Sequence, residues 1–230
     1  MKKVLVTGST GAIGEACARY FHKNGYFVYL HYRSQETKAK ELNKELSNSQ
    51  ILQFDITKKD EVNNALNDLE VDVLVNNAGI TKDNLFFWMS DNEWNDVLDT
   101  SINGTYYVTK AIIKNMISNK KGSIINVASV SGLVGNAGQT NYSAAKGAMI
   151  SFTKALSAEV ARYKIRVNAV APGLVESEMT KELDLKEMKK SIPLRRIGKP
   201  DDVAECVFFL GDKASYVTGE VINISGGMVR

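Results

Sequence analysis

The stretch VTGSTGAIG, residues 6–14, decides how the rest of the chain can be arranged. It follows the apolar run KVLVT (3–7) and opens a segment with helical periodicity. Glycines at such a junction permit a tight turn and let backbone N–H groups and a helix N-terminus approach a pyrophosphate. A plain strand–helix connection is the alternative. The position at the first strand–helix junction favours a nucleotide site, although the spacing of Gly8, Gly11 and Gly14 is not GxGxxG.

Short apolar runs alternate with longer amphipathic segments after this loop. The runs are β-branched and apolar on both faces, as buried parallel strands are, and cover residues 26–32, 51–55, 72–77, 123–129, 166–172 and the final EVINIS. The helical segments are 12–24, 34–47, 58–69, 91–118, 141–163 and a last one near 200–210. This alternation predicts an α/β fold, a doubly wound Rossmann-type parallel sheet with helices on both faces, as a single domain over residues 1–230.

Composition excludes several classes of function. A chain of 230 residues, 44% hydrophobic and 24% charged, has the composition of an ordinary globular protein. The net charge of +3, without a run of five basic residues, argues against a nucleic-acid partner. Cys17 and Cys206 lie far apart, which fits a reduced environment and supports neither a disulfide nor a metal site. The N-terminal apolar run is too short for a signal peptide or membrane span, so we expect a soluble cytoplasmic protein that binds no membrane.

The stretch NYSAAKG, residues 141–147, places a tyrosine four residues before a lysine among small helix-forming residues. Positions i and i+4 share one helix face, so Tyr142 and Lys146 should point the same way. A nearby ammonium group lowers the pKa of a phenol by favouring its charged form. The pair would then exchange a proton near neutral pH. An exposed Tyr–Lys pair on a solvated helix is the alternative that this stretch alone leaves open.

Further motifs follow in order along the chain. They are NNAG (76–79), Ser129 thirteen residues before Tyr142, PG (172–173) and SGGM (225–228). Together with the YxxxK pair they resemble the short-chain dehydrogenase/reductase family, whose TGxxxGxG loop is close to residues 7–14 except that Ala12 replaces the middle glycine. Residues 135–147 and 193–219 look most like the 3-oxoacyl-acyl-carrier-protein reductases of fatty-acid synthesis. The resemblance covers essentially the whole chain.

The resemblance implies a catalytic set of Ser129, Tyr142 and Lys146. A hydride delivered to a ketone leaves an alkoxide that needs a proton. Tyr142 would supply that proton, Ser129 would hydrogen-bond the substrate oxygen, and Lys146 would hold the nicotinamide ribose. The remaining cofactor contacts that the resemblance implies are Gly8, Ser9, Thr10, Gly11, Ile13 and Gly14 in the loop, Asp55 and Ile56 at the adenine, Asn77, Ala78 and Gly79, and Pro172, Gly173, Val175 and Ser177.

The end of the second strand bears on the choice of nicotinamide cofactor. An NAD-selective fold places an acid there, which binds the ribose 2′-hydroxyl and repels a 2′-phosphate. This strand ends LHYRS, with no acid before Glu36. Arg33 and Ser34 instead offer a guanidinium and a hydroxyl to a phosphate, so we predict NADPH. A plain surface charge at Arg33 is the alternative.

Two segments depart from the family pattern. Ser101 stands where the family usually has an active-site Asn, and Asn103 is two helical steps, roughly 200°, away from that direction. We expect a slower or less complete proton relay at Ser101, with activity retained. The chain is also trimmed after VESEMT, where an amphipathic flap, approximately residues 178–195, would form a small substrate lid. A small lid is consistent with a long acyl chain or a carrier-bound substrate.

The resemblance implies NADPH-dependent reduction of the 3-keto group of a 3-oxoacyl thioester on acyl carrier protein. An acyl-CoA, a polyketide or polyene intermediate, or another ketone is the alternative substrate. A partly inactive nucleotide-binding subunit paired with an active homologue is the alternative of a different class, and Ser101 is its only support.

The resemblance also implies partners. The helical segments 91–118 and 141–163 should form a four-helix dimer interface, and the C-terminal strand should complete a tetramer. An acidic carrier protein should dock on basic residues near the pocket mouth, often those of a neighbouring subunit. The basic residues in the two turns concerned are Lys120, Lys121, Arg162 and Lys164.

Overall fold

The computed structural model describes residues 1–177 and 185–229. Residues 178–184 of the predicted substrate lid therefore lie outside the described residues. No helix in the described ranges is long and apolar enough to cross a membrane.

Seven strands form one parallel sheet. Their bounds are β1 Lys3–Val6, β2 Phe27–Tyr32, β3 Ser49–Gln53, β4 Val73–Asn76, β5 Gly122–Val127, β6 Ile165–Pro172 and β7 Val221–Ile224. The spatial order is β3-β2-β1-β4-β5-β6-β7, and every neighbouring pair is parallel. The strand order reverses between β1 and β4, which opens a crevice at the carboxyl ends of these strands. The predicted doubly wound sheet is confirmed.

Helices cover both faces of this sheet. Their bounds are α1 Ala12–Lys23, α2 Glu36–Glu45, α3 Lys59–Leu66, α4 Asp91–Leu98, α5 Gly104–Asn119, α6 Ser131–Val134, α7 Thr140–Val160, α8 Leu185–Ser191 and α9 Pro200–Phe208. One hydrophobic cluster joins the inner sides of α1, α2 and α9 to the sheet, and a second joins those of α3 and α5 to its other face. Apolar side chains therefore project from both faces of the sheet. This agrees with the strand sequences, in which polar and apolar residues do not alternate.

The two edge strands differ from the predicted pattern. Both β3 and β7 were expected to be apolar on both faces, but most of their residues are partly or fully exposed. An edge strand is covered by a neighbour on one side only, so it accommodates polar residues such as Gln50 and Gln53. The third strand also begins two residues earlier than predicted and ends at Gln53, because Asp55 starts a turn in which it accepts hydrogen bonds from Thr57.

The predicted helix 91–118 is not continuous. It contains a π-helical turn at Asp99–Asn103 between α4 and α5. This turn has no proline, and a π turn within a helix commonly marks a functional site. Here it carries Ser101, whose side chain is fully buried. The prediction of one uninterrupted helix was wrong at this point.

A buried polar chain connects the central strands to α5 and α7. The Asn76 amide donates to Thr109 Oγ1 and to Asn126 Oδ1, both at 2.9 Å, and the Asn126 amide donates to Thr153 Oγ1 at 2.8 Å. These four side chains join the carboxyl ends of β4 and β5 to α5 and α7. Asn76 Oδ1 has no partner among the described residues, but the buried hydrogen bonds that are made fix the relative position of the elements they join. This network therefore sets α7 against β5, where the predicted catalytic residues lie.

Candidate active site

A cleft of about 970 Å³ lies at the carboxyl ends of the strands. It runs from Arg33 and Ser34, beyond β2, to Ser129, Tyr142 and Lys146 beside β5 and α7. Nearly all predicted site residues line it, namely Gly8, Thr10, Gly11, Ile13, Arg33, Ser34, Asp55, Ile56, Asn77, Ala78, Gly79, Ser129, Tyr142, Lys146, Pro172, Gly173, Val175 and Ser177. The structure thus brings together residues from seven separate parts of the sequence.

The glycine loop is tightly folded against the start of α1. Gly8 has φ +63°, a conformation that favours glycine. Gly14 lies beneath the loop, where an added Cβ would come within 2.3 Å of the Gly8 carbonyl oxygen. A side chain at position 14 would therefore displace the loop. The glycine at 14 allows the loop and the helix N-terminus to approach each other, which is the arrangement that a pyrophosphate needs.

The NNAG segment is joined to this loop by hydrogen bonds. Thr7 Oγ1 accepts from the backbone N–H groups of Asn77 and Ala78 at 2.9 and 3.1 Å. The Asn77 side chain donates back to the carbonyl groups of Thr7 and Gly8, at 3.0 and 3.1 Å. The Asn77 side chain therefore holds the glycine loop in place. The predicted cofactor contact of Asn77 would be made by the part of the residue that lines the cleft.

Ser9 is placed differently from the prediction. Its backbone N–H and its hydroxyl both donate to the His31 carbonyl, at 2.9 and 3.1 Å, and its side chain is fully buried. Ser9 is therefore directed toward β2 and away from the cleft. The sequence places Ser9 in the loop but does not show which way its hydroxyl points.

His31 lines the cleft and was not among the predicted site residues. Gly8 N–H donates to its Nδ1 at 3.0 Å, and its Nε2 lies 3.0 Å from the Phe54 carbonyl. Burial lowers the pKa of His31 to about 4, with weaker opposing contributions from the Phe54 carbonyl and Asp55. The imidazole is therefore neutral at pH 7. A polar residue inside the otherwise apolar run YFVYLHY was the signal that could have drawn attention to it.

The outer end of the cleft carries the residues predicted to select the cofactor. Within the described residues the Arg33 guanidinium has no ion-pair partner, and Glu36, the first acid after β2, pairs with Lys40 at 2.8 Å. Asp55 Oδ1 accepts from the N–H and hydroxyl of Thr57, at 2.9 and 2.8 Å. One oxygen of Asp55 thus stabilises its own turn, and Arg33 is available at this end of the cleft.

Ser129 is fixed at the inner end by the short helix α6. Its Oγ accepts the Ser131 N–H at 3.1 Å, which leaves its own hydroxyl proton for the hydrogen bond with Tyr142. Gly132 follows, and an added Cβ there would lie 2.6 Å from the Lys146 carbonyl carbon. The close contact at Gly132 brings α6 onto α7, and with it Ser129 toward Tyr142. The sequence motifs did not predict α6.

Tyr142 and Lys146 share one face of α7, as the spacing predicts. Lys146 Nζ is buried, donates to the Val127 carbonyl at 2.7 Å and lies 5.5 Å from the centre of the Tyr142 ring. Burial lowers the pKa of Lys146 to about 8. The predicted lowering of the tyrosine pKa by this ammonium group was wrong for the structure as it stands. Burial raises the pKa of Tyr142 above its ordinary value, and a hydrogen bond with Ser129 only opposes that rise.

Ser101 faces the lysine across a small gap. A Cβ placed on Gly79 would lie 3.4 Å from Lys146 Nζ and 3.6 Å from Ser101 Oγ, so both polar atoms border the same space. Among the described residues, Ser101 Oγ is a buried hydroxyl oxygen without a hydrogen-bond partner. Asn103 points elsewhere, because its amide donates to Asp99 Oδ1 at 2.7 Å on the exposed side. The prediction that Asn103 cannot replace the family's Asn is confirmed.

The loop after β6 closes one side of the cleft. Gly173 packs against Ser225, where an added Cβ would be 2.9 Å from the serine Cβ, and its N–H donates to the Ile224 carbonyl at 2.9 Å. Val175 pairs with Gly198 in an isolated bridge. Of the predicted flap residues that the structure describes, Met188 lines the cleft and Ile192 is buried.

An apolar segment borders the inner end of the cleft. Residues 85–88, which we call the aromatic rim, include Leu85, Phe86, Phe87 and Trp88, with exposed fractions from 51% at Leu85 to 71% at Phe87. The segment is ordered, because the Asn84 N–H donates to the Gly138 carbonyl at 2.8 Å and the Trp88 N–H donates to the Leu85 carbonyl at 2.9 Å. Asp83 and Gln139 beside it line the cleft and hydrogen-bond to each other at 2.7 Å.

The basic turn residues are not near the pocket mouth of their own chain. Lys120 and Lys121 precede β5, and Arg162 and Lys164 precede β6, so all four lie at the amino ends of strands whose carboxyl ends form the cleft. The six residues of β5 separate the two edges by about 20 Å at roughly 3.3 Å per residue. Lys121 also pairs with Asp72 at 2.5 Å. The prediction that these turns lie at the mouth was wrong within one subunit.

The fold and the cleft together define a dinucleotide-binding oxidoreductase. The crevice lies at the topological switch point, its glycine loop opens α1, and a serine, a tyrosine and a buried lysine meet at its inner end. A nicotinamide dinucleotide fits this arrangement, because residue 14 has no room for a side chain beneath the loop and the cleft continues unbroken from Arg33 to Tyr142.

Comparisons with known proteins agree with this class. A family model of the short-chain dehydrogenase/reductase type, described as enoyl-(acyl carrier protein) reductase, matches residues 8–229. Nodulation protein G of Rhizobium meliloti (strain 1021) is 46% identical over 239 residues, covering 99% of this chain and 96% of that protein. The 3-oxoacyl-acyl-carrier-protein reductase FabG of Staphylococcus epidermidis is 42% identical over 240 residues, covering 99% and 98%, and that of Aquifex aeolicus is 42% identical over 241, covering 99% and 97%.

The chain belongs to the short-chain dehydrogenase/reductase family. The resemblance inferred from the motifs is thereby confirmed, and the chain is an oxidoreductase that uses a nicotinamide cofactor.

Proposed function

We propose that this protein uses NADPH to reduce the 3-keto group of a 3-oxoacyl thioester carried by acyl carrier protein. The observation that carries the proposal is the convergence of two hydroxyl groups, those of Ser129 and Tyr142, beside the buried Lys146 at the inner end of the cleft. Two hydroxyl donors directed at one point suit a carbonyl oxygen that acquires negative charge.

Ser129 binds and orients the substrate oxygen. Because its Oγ accepts the Ser131 N–H, its hydroxyl proton can be donated to the ketone while its position is held from behind. NADPH, when bound, supplies the hydride that is added to the carbonyl carbon. Ser129 thus fixes the carbonyl with its oxygen toward Tyr142, and alignment of this kind lowers the entropic part of the barrier.

Tyr142 donates the proton that converts the alkoxide into the alcohol. Its raised pKa keeps the phenol protonated at pH 7, which is the form that a proton donor requires. Once the proton has left, the phenolate lies beside the Lys146 cation, whose charge stabilises it in this buried site. The lysine therefore assists the transfer by stabilising the phenolate that Tyr142 becomes, although it does not lower the pKa of the phenol in the ligand-free enzyme.

Arg33 and Ser34 support NADPH over NADH. They line the outer end of the cleft, where the ribose 2′-phosphate would lie, and no acid is present at the end of β2. The guanidinium, without an ion pair among the described residues, can donate to the phosphate. Asp55 and Ile56 would contact the adenine, and Val175 and Ser177 the nicotinamide and phosphates.

The substrate class rests on the relatives and on the aromatic rim. Two of the relatives are named as 3-oxoacyl-acyl-carrier-protein reductases, and an exposed apolar rim next to Asp83 and Gln139 of the cleft suits an acyl chain. The matched family model is instead described as an enoyl reductase. Because the neighbouring hydroxyl groups of Ser129 and Tyr142 can both donate to one oxygen atom, we favour the ketone over the carbon–carbon double bond.

Initial rates with NADPH test this assignment. Acetoacetyl and crotonyl groups, each on acyl carrier protein and on CoA, separate keto from enoyl reduction and carrier from CoA substrates. We expect the acetoacetyl carrier protein to be reduced with the highest kcat/KM. Faster reduction of the crotonyl carrier protein would overturn the ketone assignment, and no turnover with any substrate would favour an inactive nucleotide-binding subunit.

The carrier would dock across subunits. Since Lys120, Lys121, Arg162 and Lys164 lie at the opposite edge of the sheet from the cleft, they can serve a carrier only at the active site of a neighbouring subunit. We propose a dimer or tetramer, with α4, α5 and α7 forming the main contact. Light scattering at micromolar protein tests it, and a monomer would refute both the assembly and the docking site.

Charge reversal isolates the docking contribution. K120E/R162E should raise KM for the carrier-bound substrate and flatten its salt dependence, because exposed charges steer association and are screened by salt. The small CoA thioester should be unaffected. K23E/K44E, which reverses two exposed lysines on α1 and α2, is the matched control. Equal loss with both substrates would contradict the docking assignment.

A further inference from the structure

His31 is a buried side chain at the outer end of the cleft that the proposed chemistry does not use. It lies in β2, its side chain is 2% exposed, and its ring centre is 4.1 Å from that of Phe54. Both ring nitrogens have backbone partners, Gly8 N–H at Nδ1 and the Phe54 carbonyl at Nε2, each at 3.0 Å. No charged side chain hydrogen-bonds to it within the described residues.

The two partners fix the tautomer of the ring. A backbone N–H can only donate and a carbonyl can only accept, so Nδ1 must carry the lone pair and Nε2 the proton. No other state of the imidazole satisfies both contacts. Protonation would set an N–H group against the Gly8 N–H, and the opposite tautomer would break both bonds. The low pKa that results from burial agrees with this neutral form.

The partners belong to three separate parts of the nucleotide site. Gly8 begins the glycine loop, Phe54 precedes Asp55 and Ile56, and His31 itself lies two residues before Arg33. The His31 carbonyl also accepts from Ser9, which adds a second connection between the loop and β2. The ends of β1, β2 and β3 are thus joined through one residue, and each of these strands leads into a predicted cofactor contact.

We infer that His31 is a positioning residue for the dinucleotide. Through the Gly8 N–H···Nδ1 bond, His31 holds the glycine loop in a fixed position relative to Arg33 and Asp55. Losing that acceptor leaves a partly buried N–H unpaired at the residue whose positive φ shapes the loop. The loop would then relax, and a ligand that contacts the loop and Arg33 at the same time would bind more weakly. The inference uses NADPH from the proposed function only as a probe.

A matched pair of substitutions separates the two ring nitrogens. The Oδ1 of His31→Asn can occupy the place of Nδ1 and keep the acceptor for Gly8, whereas the Nε2 of His31→Gln reaches the place of the ring Nε2 and keeps only the donor to Phe54. We expect H31N to bind NADPH within about threefold of the wild type, and H31Q to bind about tenfold more weakly, since H31Q leaves the partly buried Gly8 N–H without an acceptor.

Binding is measured by quenching of protein fluorescence, with NADH titrated in parallel and thermal unfolding recorded for each variant. H22N, in the other histidine of the chain, is the control, because His22 is partly exposed on α1 and away from the cleft. Equal dissociation constants for H31N and H31Q would overturn the inference. A wild type that binds NADH as tightly as NADPH would refute the proposed cofactor choice but leave the comparison of variants valid.

A measurement on the unaltered protein covers the case in which H31Q does not fold. The chain has two histidines, so ¹⁵N-histidine labelling gives two sets of ring signals. We expect one ring to be in the Nε2–H form at pH 7 and to change its Nδ1 shift when NADPH binds. A His31 signal showing the Nδ1–H tautomer, a protonated ring, or no response to NADPH would overturn the inference.

Discussion

The two ends of the cleft differ in how far the protein satisfies its own polar groups. At the outer end, the loop, β2 and β3 are joined by bonds that leave both nitrogens of His31 and both donors of Ser9 occupied. At the inner end, Ser101 Oγ has no partner among the described residues, and Lys146 Nζ donates to one carbonyl. Beyond it lies an aromatic rim that is largely exposed.

This difference indicates two kinds of binding. The outer end is preorganised, so a ligand meets a surface whose backbone is already fixed and little entropy is lost on binding. The inner end keeps unpaired donors and acceptors for groups that come and go during a reaction. Unsatisfied buried polar atoms are uncommon in native proteins, and they are expected where a ligand or water completes the site.

Removing the proton donor tests the inner end with the largest effect. Y142F should lower kcat by about 10³-fold, within the range that a positioned general acid contributes. The dissociation constant for NADPH should change less than threefold, because the outer end is untouched. Stopped-flow turnover and fluorescence titration measure the two quantities. Turnover near that of the wild type would show that another group donates the proton.

Removing the cation at the outer end comes next. R33A should reduce the ratio of kcat/KM for NADPH to that for NADH by about 10- to 100-fold, since a charge-assisted hydrogen bond contributes about 1.5–3 kcal/mol. The kcat with saturating cofactor should stay the same, because Arg33 lies away from the reacting groups. A variant that keeps the wild-type preference would place the phosphate contact elsewhere.

Titration of Lys146 should lower kcat/KM for NADPH about tenfold as the pH rises. The folded, ligand-free enzyme holds this pKa near 8, so the ammonium is present below pH 8 and is lost as the pH rises. We expect kcat/KM for NADPH, which reports the free enzyme, to fall about tenfold between pH 7 and pH 9. K146R, whose guanidinium stays charged, should not show this decline. A profile that is flat to pH 10 in the wild type would refute the assignment.

The smallest effect is expected at Ser101. S101N restores the family's residue beside Lys146 and should leave kcat unchanged or raise it by up to about threefold. The added amide can fill the gap in which Ser101 Oγ has no partner. A large loss of kcat, measured with the acetoacetyl thioester, would show that the inner end is adapted to serine and to the smaller side chain.

The order of elements and most of the site were predictable from the sequence, because both depend on spacing. Parallel strands bring their carboxyl ends to one edge, so motifs that follow strands must meet there. The i, i+4 rule likewise placed Tyr142 and Lys146 on one face of α7. Such arguments fix where a residue lies along an element, and the structure agrees with them in nearly every case.

The features that the sequence did not show depend on the direction in which side chains point and on how deeply they are buried. The tyrosine pKa rises because desolvation outweighs a lysine that lies 5.5 Å from the ring centre and is bonded to Val127, and spacing alone does not give that balance. The π turn at Asp99–Asn103 has no marker residue. Ser9 was predicted to face the cleft, and His31 was not predicted at all. The hydrogen-bond partners of both residues are backbone groups of other segments, which leave no side-chain pattern in the sequence.

The position of the basic turns has a consequence for how activity depends on enzyme concentration. Lys120 and Arg162 lie a full strand length from the cleft of their own chain. A catalytic unit for carrier-bound substrate would then be larger than the subunit that performs the chemistry. Dilution below the dissociation constant of the assembly should therefore lower the specific activity toward the carrier-bound thioester sooner than that toward the free CoA thioester. The ratio of the two rates would report assembly in a crude extract, where neither rate alone could.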